Sequence, residues 1–145
     1  MEITTARSTC PVAQVLDLLG DRWSLLIVRD AVLFGKQRYS EFLAADEGIS
    51  TNILANRLKL LEANGLLQKY PDPEDGKSSI YLPTEEGLAL VPVIVEMMRW
   101  SVGTGRVPKG LDPPAFMVRL VKEGSDWFVA QRREAIEAER QRLAS

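Results

Sequence analysis

The chain has 145 residues, 46% of them hydrophobic, with a formal charge of −2 and a sequence isoelectric point near 5.3. That length and apolar content predict one compact unit with an ample core, and the mild acidity argues against non-specific coating of nucleic acid while leaving room for a local basic face. With no histidine, one cysteine and no glycine-rich phosphate loop, most nucleophilic, zinc and nucleotide chemistries lack their parts, so neither catalysis, a metal nor a cofactor is expected.

The opening residues MEITTARSTC have no apolar centre, and no apolar run approaches the length needed to cross a bilayer, so a cytoplasmic protein without membrane contact is expected. A single cysteine cannot form an internal disulfide, which suits a reducing compartment. Cys10 precedes Pro11, a residue at home in a first helical turn, and Val12, Val15, Leu16 and Leu19 then form one apolar face ending at Gly20. A thiol at a helix start is acidified, so Cys10 is either a reactive sensor of oxidants or a small packing residue. Asp21 is placed to cap a second helix from Trp23 towards Phe34, closed by Gly35 and apolar nearly all round, which belongs at the centre of the core.

A short helix at Arg38-Tyr39-Ser40-Glu41-Phe42-Leu43 and a glycine turn at Glu47-Gly48-Ile49 lead to the most informative segment. Ser50 is a strong N-cap, Leu54, Leu58 and Leu61 recur on one helical face, and Gly65 is a natural stop. The outer face then presents Asn52, Ala55, Asn56 and Lys59, with Thr51 and Arg57 on the flanks. Asn pairs with adenine, Ala meets a thymine methyl, and Arg or Lys reaches guanine or phosphate, so such a face suits a DNA major groove. It is also what an ordinary solvated helix shows.

Two strand-like runs, residues 66–70 and 78–82, flank the turn-rich stretch Pro71-Asp72-Pro73-Glu74-Asp75-Gly76-Lys77, and the strand is expected to stop before Pro83. The order helix, turn, helix, hairpin is that of a winged helix-turn-helix. Lys69 and Lys77 on the hairpin, with Arg38 and Arg57, are candidates to hold phosphates, although three acids at the hairpin tip weaken it as a clamp unless they hold the turn. Thr84 caps a further helix running past Trp100 with little polar surface, and Pro92 inside it predicts a kink. A winged-helix monomer has no evident way to cover that helix, so residues 92–101 are expected to pair with a second subunit, assisted by the first helix.

These motifs together resemble the HxlR family of bacterial winged-helix transcription regulators, relatives of the MarR group, over about residues 10–101. The likeness rests on Cys10-Pro11, Gly20-Asp21-Arg22-Trp23-Ser24 with Leu26-Ile27, Arg38 to Phe42, Gly48-Ile49-Ser50, Leu54, Arg57-Leu58, Leu61-Glu62, Asn64-Gly65-Leu66, Tyr81, Thr84 to Leu88 and Trp100. It implies a homodimeric repressor or activator that places the Ser50 helix in the major groove of double-stranded DNA. It also implies oxidant or electrophile sensing at the Cys10 position in some members. The hairpin departs from the family's often proline-rich tip.

The expected architecture is therefore mainly α with a small β-hairpin wing, a dimeric winged helix-turn-helix over residues 1–102 and a linker with a C-terminal helical extension over residues 103–145. The extension either packs, enlarging the dimer interface or covering the long apolar helix, or lines a small-molecule effector cavity with Phe116, Met117, Trp127 and Phe128. Candidate DNA-contacting residues are Arg38, Ser50, Thr51, Asn52, Ala55, Asn56, Arg57, Lys59, Lys69 and Lys77. The rival function is a winged-helix module kept for protein interaction.

Overall fold

A computed structural model describes residues 8–145; the expectation about a leader segment falls partly on residues 1–7, which lie outside the described residues. In chain order come helices α1 (Pro11–Leu19), α2 (Ser24–Val32), α3 (Tyr39–Leu43) and α4 (Thr51–Ala63), then strands β1 (Leu67–Asp72) and β2 (Asp75–Pro83). Four more helices follow: α5 (Glu85–Leu88), α6 (Val91–Gly103), α7 (Ala115–Glu123) and α8 (Asp126–Ala144). The fold is a winged helix-turn-helix with a helical extension.

α2 sits at the centre. The Asp21 carboxylate accepts from the amides of Trp23 at 3.0 Å and Ser24 at 2.9 Å, satisfying donors that the first turn leaves unpaired. Val28, Ala31 and Val32 have no exposed surface, and α2 packs against α4, α5, α6 and β2. Each buried valine contributes about 1.5–3 kcal/mol relative to an exposed position. The helix does carry one buried charge: Asp30 is held by Arg29 at 2.8 Å and Lys36 at 3.1 Å, so the burial of its carboxylate is compensated by two cations.

The hairpin is antiparallel, with Leu67 opposite Pro83, Tyr70 opposite Ile80 and Asp72 opposite Asp75, leaving Pro73 and Glu74 as the turn. Both strands run further than expected. Pro83 belongs to β2 because it ends a strand of a two-stranded ribbon, where a missing donor costs little. The wing is joined to the helical core by the Tyr81 amide, which donates to the Gln37 carbonyl at 2.8 Å, and by an edge contact of the Phe42 and Tyr81 rings.

The helix expected from residue 85 past Trp100 is two helices. Pro92 opens α6 instead of kinking a longer helix, since in a first turn its lost N–H is not needed. α5 lies so close to the start of the wing that a side chain at Gly87 would meet the Leu66 carbonyl oxygen at 2.3 Å; only glycine fits there.

In the extension, α7 packs on α6, and α8 crosses behind α5 and the wing. Leu120, Phe128 and Ile136 enter the same core as α2. The aromatic rings expected as either packing or cavity lining pack on one another: Phe34 edge-on to Phe116, Phe116 stacked on Phe128, and Trp127 edge-on to Phe128. Arg132 donates from Nε to the Val32 carbonyl at 3.0 Å, capping α2 from the far end of the chain. The extension does not cover the outer side of α6, where Val93, Met97 and Trp100 remain exposed.

Candidate nucleic-acid interface

The Ser50 hydroxyl accepts from the Ile53 amide at 3.3 Å and starts α4. Leu54, Leu58 and Leu61 turn inward at 2% exposure or less, which orients the rest of the helix. Ser50, Thr51, Asn52, Ala55, Asn56 and Lys59 are all exposed. The Tyr39 hydroxyl donates to the Thr51 carbonyl at 3.0 Å and ties α3 to the first turn of α4. Sequence reasoning missed that contact, because an aromatic at the start of α3 reads only as packing.

Two of the expected phosphate holders differ from the rest. Arg57 is partly buried, with Nε 3.3 Å from the Asp21 carboxylate that caps α2. Burial alone would raise the Asp21 pKa, but the Ser24 and Trp23 donors and the Arg57 charge hold it below the ordinary carboxylate range. Arg38 donates from Nε to Asp72 at 2.8 Å and stands 3.6 Å from Glu74. Both arginines thus join elements of the motif to one another: Arg57 links α4 to the start of α2, and Arg38 links the start of α3 to the wing. Lys59, Lys69 and Lys77 have exposed side chains with no hydrogen bond or ion pair among the described residues.

The acids of the wing tip have structural work. The buried Asp72 takes the Arg38 guanidinium and the Glu74 amide, the latter at 2.9 Å. Asp75 accepts from the Lys77 amide at 3.1 Å and the Ser78 hydroxyl at 2.9 Å. Glu74 projects into solvent. Two of the three carboxylates are therefore turned into the hairpin, and the wing opposes a phosphate less than its composition suggests.

Cys10 is exposed at the N-cap of α1. The backbone amides of Ala13 and Val12 hold its thiol below the usual value by stabilising the thiolate. Beyond it, Val12 is 64% and Leu16 57% exposed, so the apolar face of α1 lies outside the core of this chain, and only Leu19 of that helix is buried.

The HxlR-like helix-turn-helix family profile matches residues 18–106, from the end of α1 to just beyond α6. The chain belongs to the HxlR family. Its members are transcriptional regulators, not enzymes. An HTH-type regulator of Mycobacterium tuberculosis, Rv3095, is 38% identical over 103 residues, covering 71% of this chain and 63% of that protein, so the match spans less than two thirds of the relative. The HTH-type regulator YodB of Bacillus subtilis is 38% identical over 93 residues, 63% of this chain and 82% of its own length. In its reduced form YodB superposes with a TM-score of 0.54 at 35% identity over 65% of this chain and 92% of that one; a quinone-bound form has also been solved, with a TM-score of 0.53 at 34% identity over 66% and 99%. PA1607, solved as a candidate transcription factor, gives a TM-score of 0.65 at 38% identity, covering 74% of this chain and 73% of its own. α7 and α8 of this HxlR-type chain lie beyond the matched residues. No helix among the described residues is long and apolar enough to cross a membrane.

The Arg38–Asp72 pair makes wing stability pH-dependent. The Arg38 hydrogen bond, with the Glu74 amide, holds the Asp72 carboxyl below its ordinary value of about 3.9. Its contribution is therefore present in full above that ordinary value and is lost as pH falls through the lower, folded-state value. In an NMR carboxyl titration Asp72 is expected to titrate below the ordinary aspartate value, and Arg38→Gln to return it upward. An Asp72 titration unchanged by Arg38→Gln would show that the ion pair does not form.

Proposed function

We propose that this chain is a sequence-specific DNA-binding transcription regulator that reads a pseudo-palindromic operator as a homodimer. The observation that carries this reading is the outer face of α4, where Asn52, Ala55, Asn56 and Lys59 stand exposed above a fully buried leucine row. Asn52, Ala55 and Asn56 carry base preference, Ser50 and Thr51 approach the backbone with the first turn, and Lys59, Lys69 and Lys77 hold phosphates. Arg38 and Arg57 act chiefly by fixing the wing and α4 in place. The rival, a winged helix that serves only as a protein-interaction module, finds no comparable patch at this face, which is polar and cationic.

Dimerisation is supported by two exposed apolar stripes that meet at one groove. Val12, Val15 and Leu16 of α1 are exposed, as are Val93, Met97 and Trp100 of α6, and Leu16 lines one groove together with Met97. A two-fold pairing across α1 and α6 buries both stripes and sets the two α4 helices at a fixed separation, which an operator's half-site spacing then mirrors. Trp100→Glu, at an exposed position, is expected to leave the monomer folded and shift sedimentation from dimer to monomer at micromolar concentration. A wild-type chain that sediments only as monomer overturns the dimer.

The DNA reading is tested by fluorescence anisotropy with duplexes from the gene's own upstream region. Asn56→Ala should cost about 1–3 kcal/mol on the preferred duplex and relax preference at one base pair, whereas Lys59→Ala should weaken all duplexes alike and lower the salt slope by about 1. Equal, weak, salt-sensitive binding by wild type and both variants would refute specific reading.

Modulation through Cys10 is favoured by the lowered thiol pKa and by the place of that thiol at the head of α1, beside the proposed dimer surface. One cysteine per subunit allows an intersubunit disulfide or an adduct with a small electrophile. Addition of the thiolate to a quinone ring carbon, followed by protonation of the ring, needs no second cysteine and no leaving group. Quinone treatment should release wild-type protein from its operator and leave Cys10→Ser bound; release of both removes the sensor role.

A further inference from the structure

Where α6, the connection over residues 104–114 and α7 come together, they border a cavity of about 380 Å³ that is open to water on one side. Its walls are Met98 and Val102 from α6, Val107 and Pro113 from the connection, and Met117 and Val121 from α7, with Ser101 and Lys122 as the polar groups. We propose that this cavity binds a small molecule with an apolar body and a single anionic group. The proposal deepens the regulator reading by naming an effector class, and rests on that reading only for what binding would do, not for binding itself.

The volume is in the range of about 300–1,000 Å³ that small-molecule sites occupy, and the combination of an apolar wall with few polar groups is how such sites bind and orient a ligand. The two methionines make that wall adaptable, since unbranched thioether side chains repack around different shapes at little cost. Lys122 is exposed and has no hydrogen bond or ion pair among the described residues. The neighbouring Glu123 is already engaged by Arg119 and does not neutralise it. The lining is almost wholly apolar, with the Lys122 stem forming part of it; being long and exposed, that side chain can bring its ammonium to an anion that stays in water at the mouth, where it avoids the desolvation a buried charge would suffer.

The three aromatic residues that the sequence offered as cavity lining pack on one another elsewhere, and Met117, offered with them, lines this space. Most of the lining lies past residue 106, outside the family match, so the site belongs to the extension. Its position joins it to both ends of the regulator. Arg99 of α6 donates from Nε to the Val121 carbonyl of α7 at 2.8 Å, so a ligand between the two helices bears on that strut. Through Gly124, at a φ of +85°, α7 continues into α8, which grips α5 through Arg133 and Glu85 and the wing through Arg140 and Tyr70.

Isothermal titration calorimetry of the full chain, without DNA, tests the site with 1-naphthoate and the uncharged 1-naphthamide of the same shape. The expected result is one site per chain, with naphthoate about tenfold tighter than the amide, a difference of one charged contact. Lys122→Gln should erase that margin and leave the amide affinity unchanged. Val102→Trp, which fills the cavity from a position 53% exposed and so spares the core, should abolish both. Failure of wild type to bind naphthoate, or binding unchanged in both variants, overturns the proposal. So does a wild type that binds neither probe while Val102→Trp alters sedimentation, which would make the cavity a subunit contact. As no DNA is present, none of these outcomes depends on whether the operator reading holds.

Discussion

Removal of α2 from water is the constraint on which the rest of the molecule depends. A helix with Ile27, Val28, Ala31 and Val32 on its buried sides has to be surrounded, and α4, α5, α6 and β2 each supply part of the cover. α4 takes its place by burying Leu54, Leu58 and Leu61, and its polar face points outward as a geometric result of that burial. The orientation of the candidate reading face is thus set first by hydrophobic packing, to which the Arg57–Asp21 pair and the Tyr39–Thr51 hydrogen bond add.

The local features of this arrangement were legible in the sequence. Ser50, the leucine spacing and Gly65 mark α4 because capping, periodicity and a left-handed stop all act within a few residues. The hairpin was legible for the same reason, through its Pro, Asp and Gly turn residues. What could not be read were pairings between distant positions. Arg38 and Asp72 are 34 residues apart, and nothing in either neighbourhood says that one will neutralise the other. Arg38 and Arg57 looked like free cations for a phosphate, and Asp72 like an obstacle to one, until the fold brought opposite charges together. Pro92 illustrates a different ambiguity: a proline in a long apolar run is equally compatible with a kink or with a new start, and only the break after α5 decides it.

The same packing divides the molecule's apolar surface unevenly. α7 and α8 fill the side of the core around Phe128 and Ile136, whereas α1 and the outer side of α6 keep their valines, Met97 and Trp100 in solvent. Arginine serves both tasks on α8, where its planar fork reaches carboxylates, carbonyls and a tyrosine hydroxyl without burying an unpaired charge. Arg132, half-buried, is the partial exception; desolvation pulls its pKa down, and its donors are met by carbonyl oxygens at the end of α2.

That last contact bears on the order in which the protein is built. The Val32 carbonyl receives its partner from a residue 100 positions later, and the Ala31 carbonyl from the same guanidinium. The central helix is therefore made early in the chain, and the group that caps its end late. The last helix thus completes the central one: until Arg132 is in place, the side-chain donors that these two carbonyls receive from α8 have to be replaced by water.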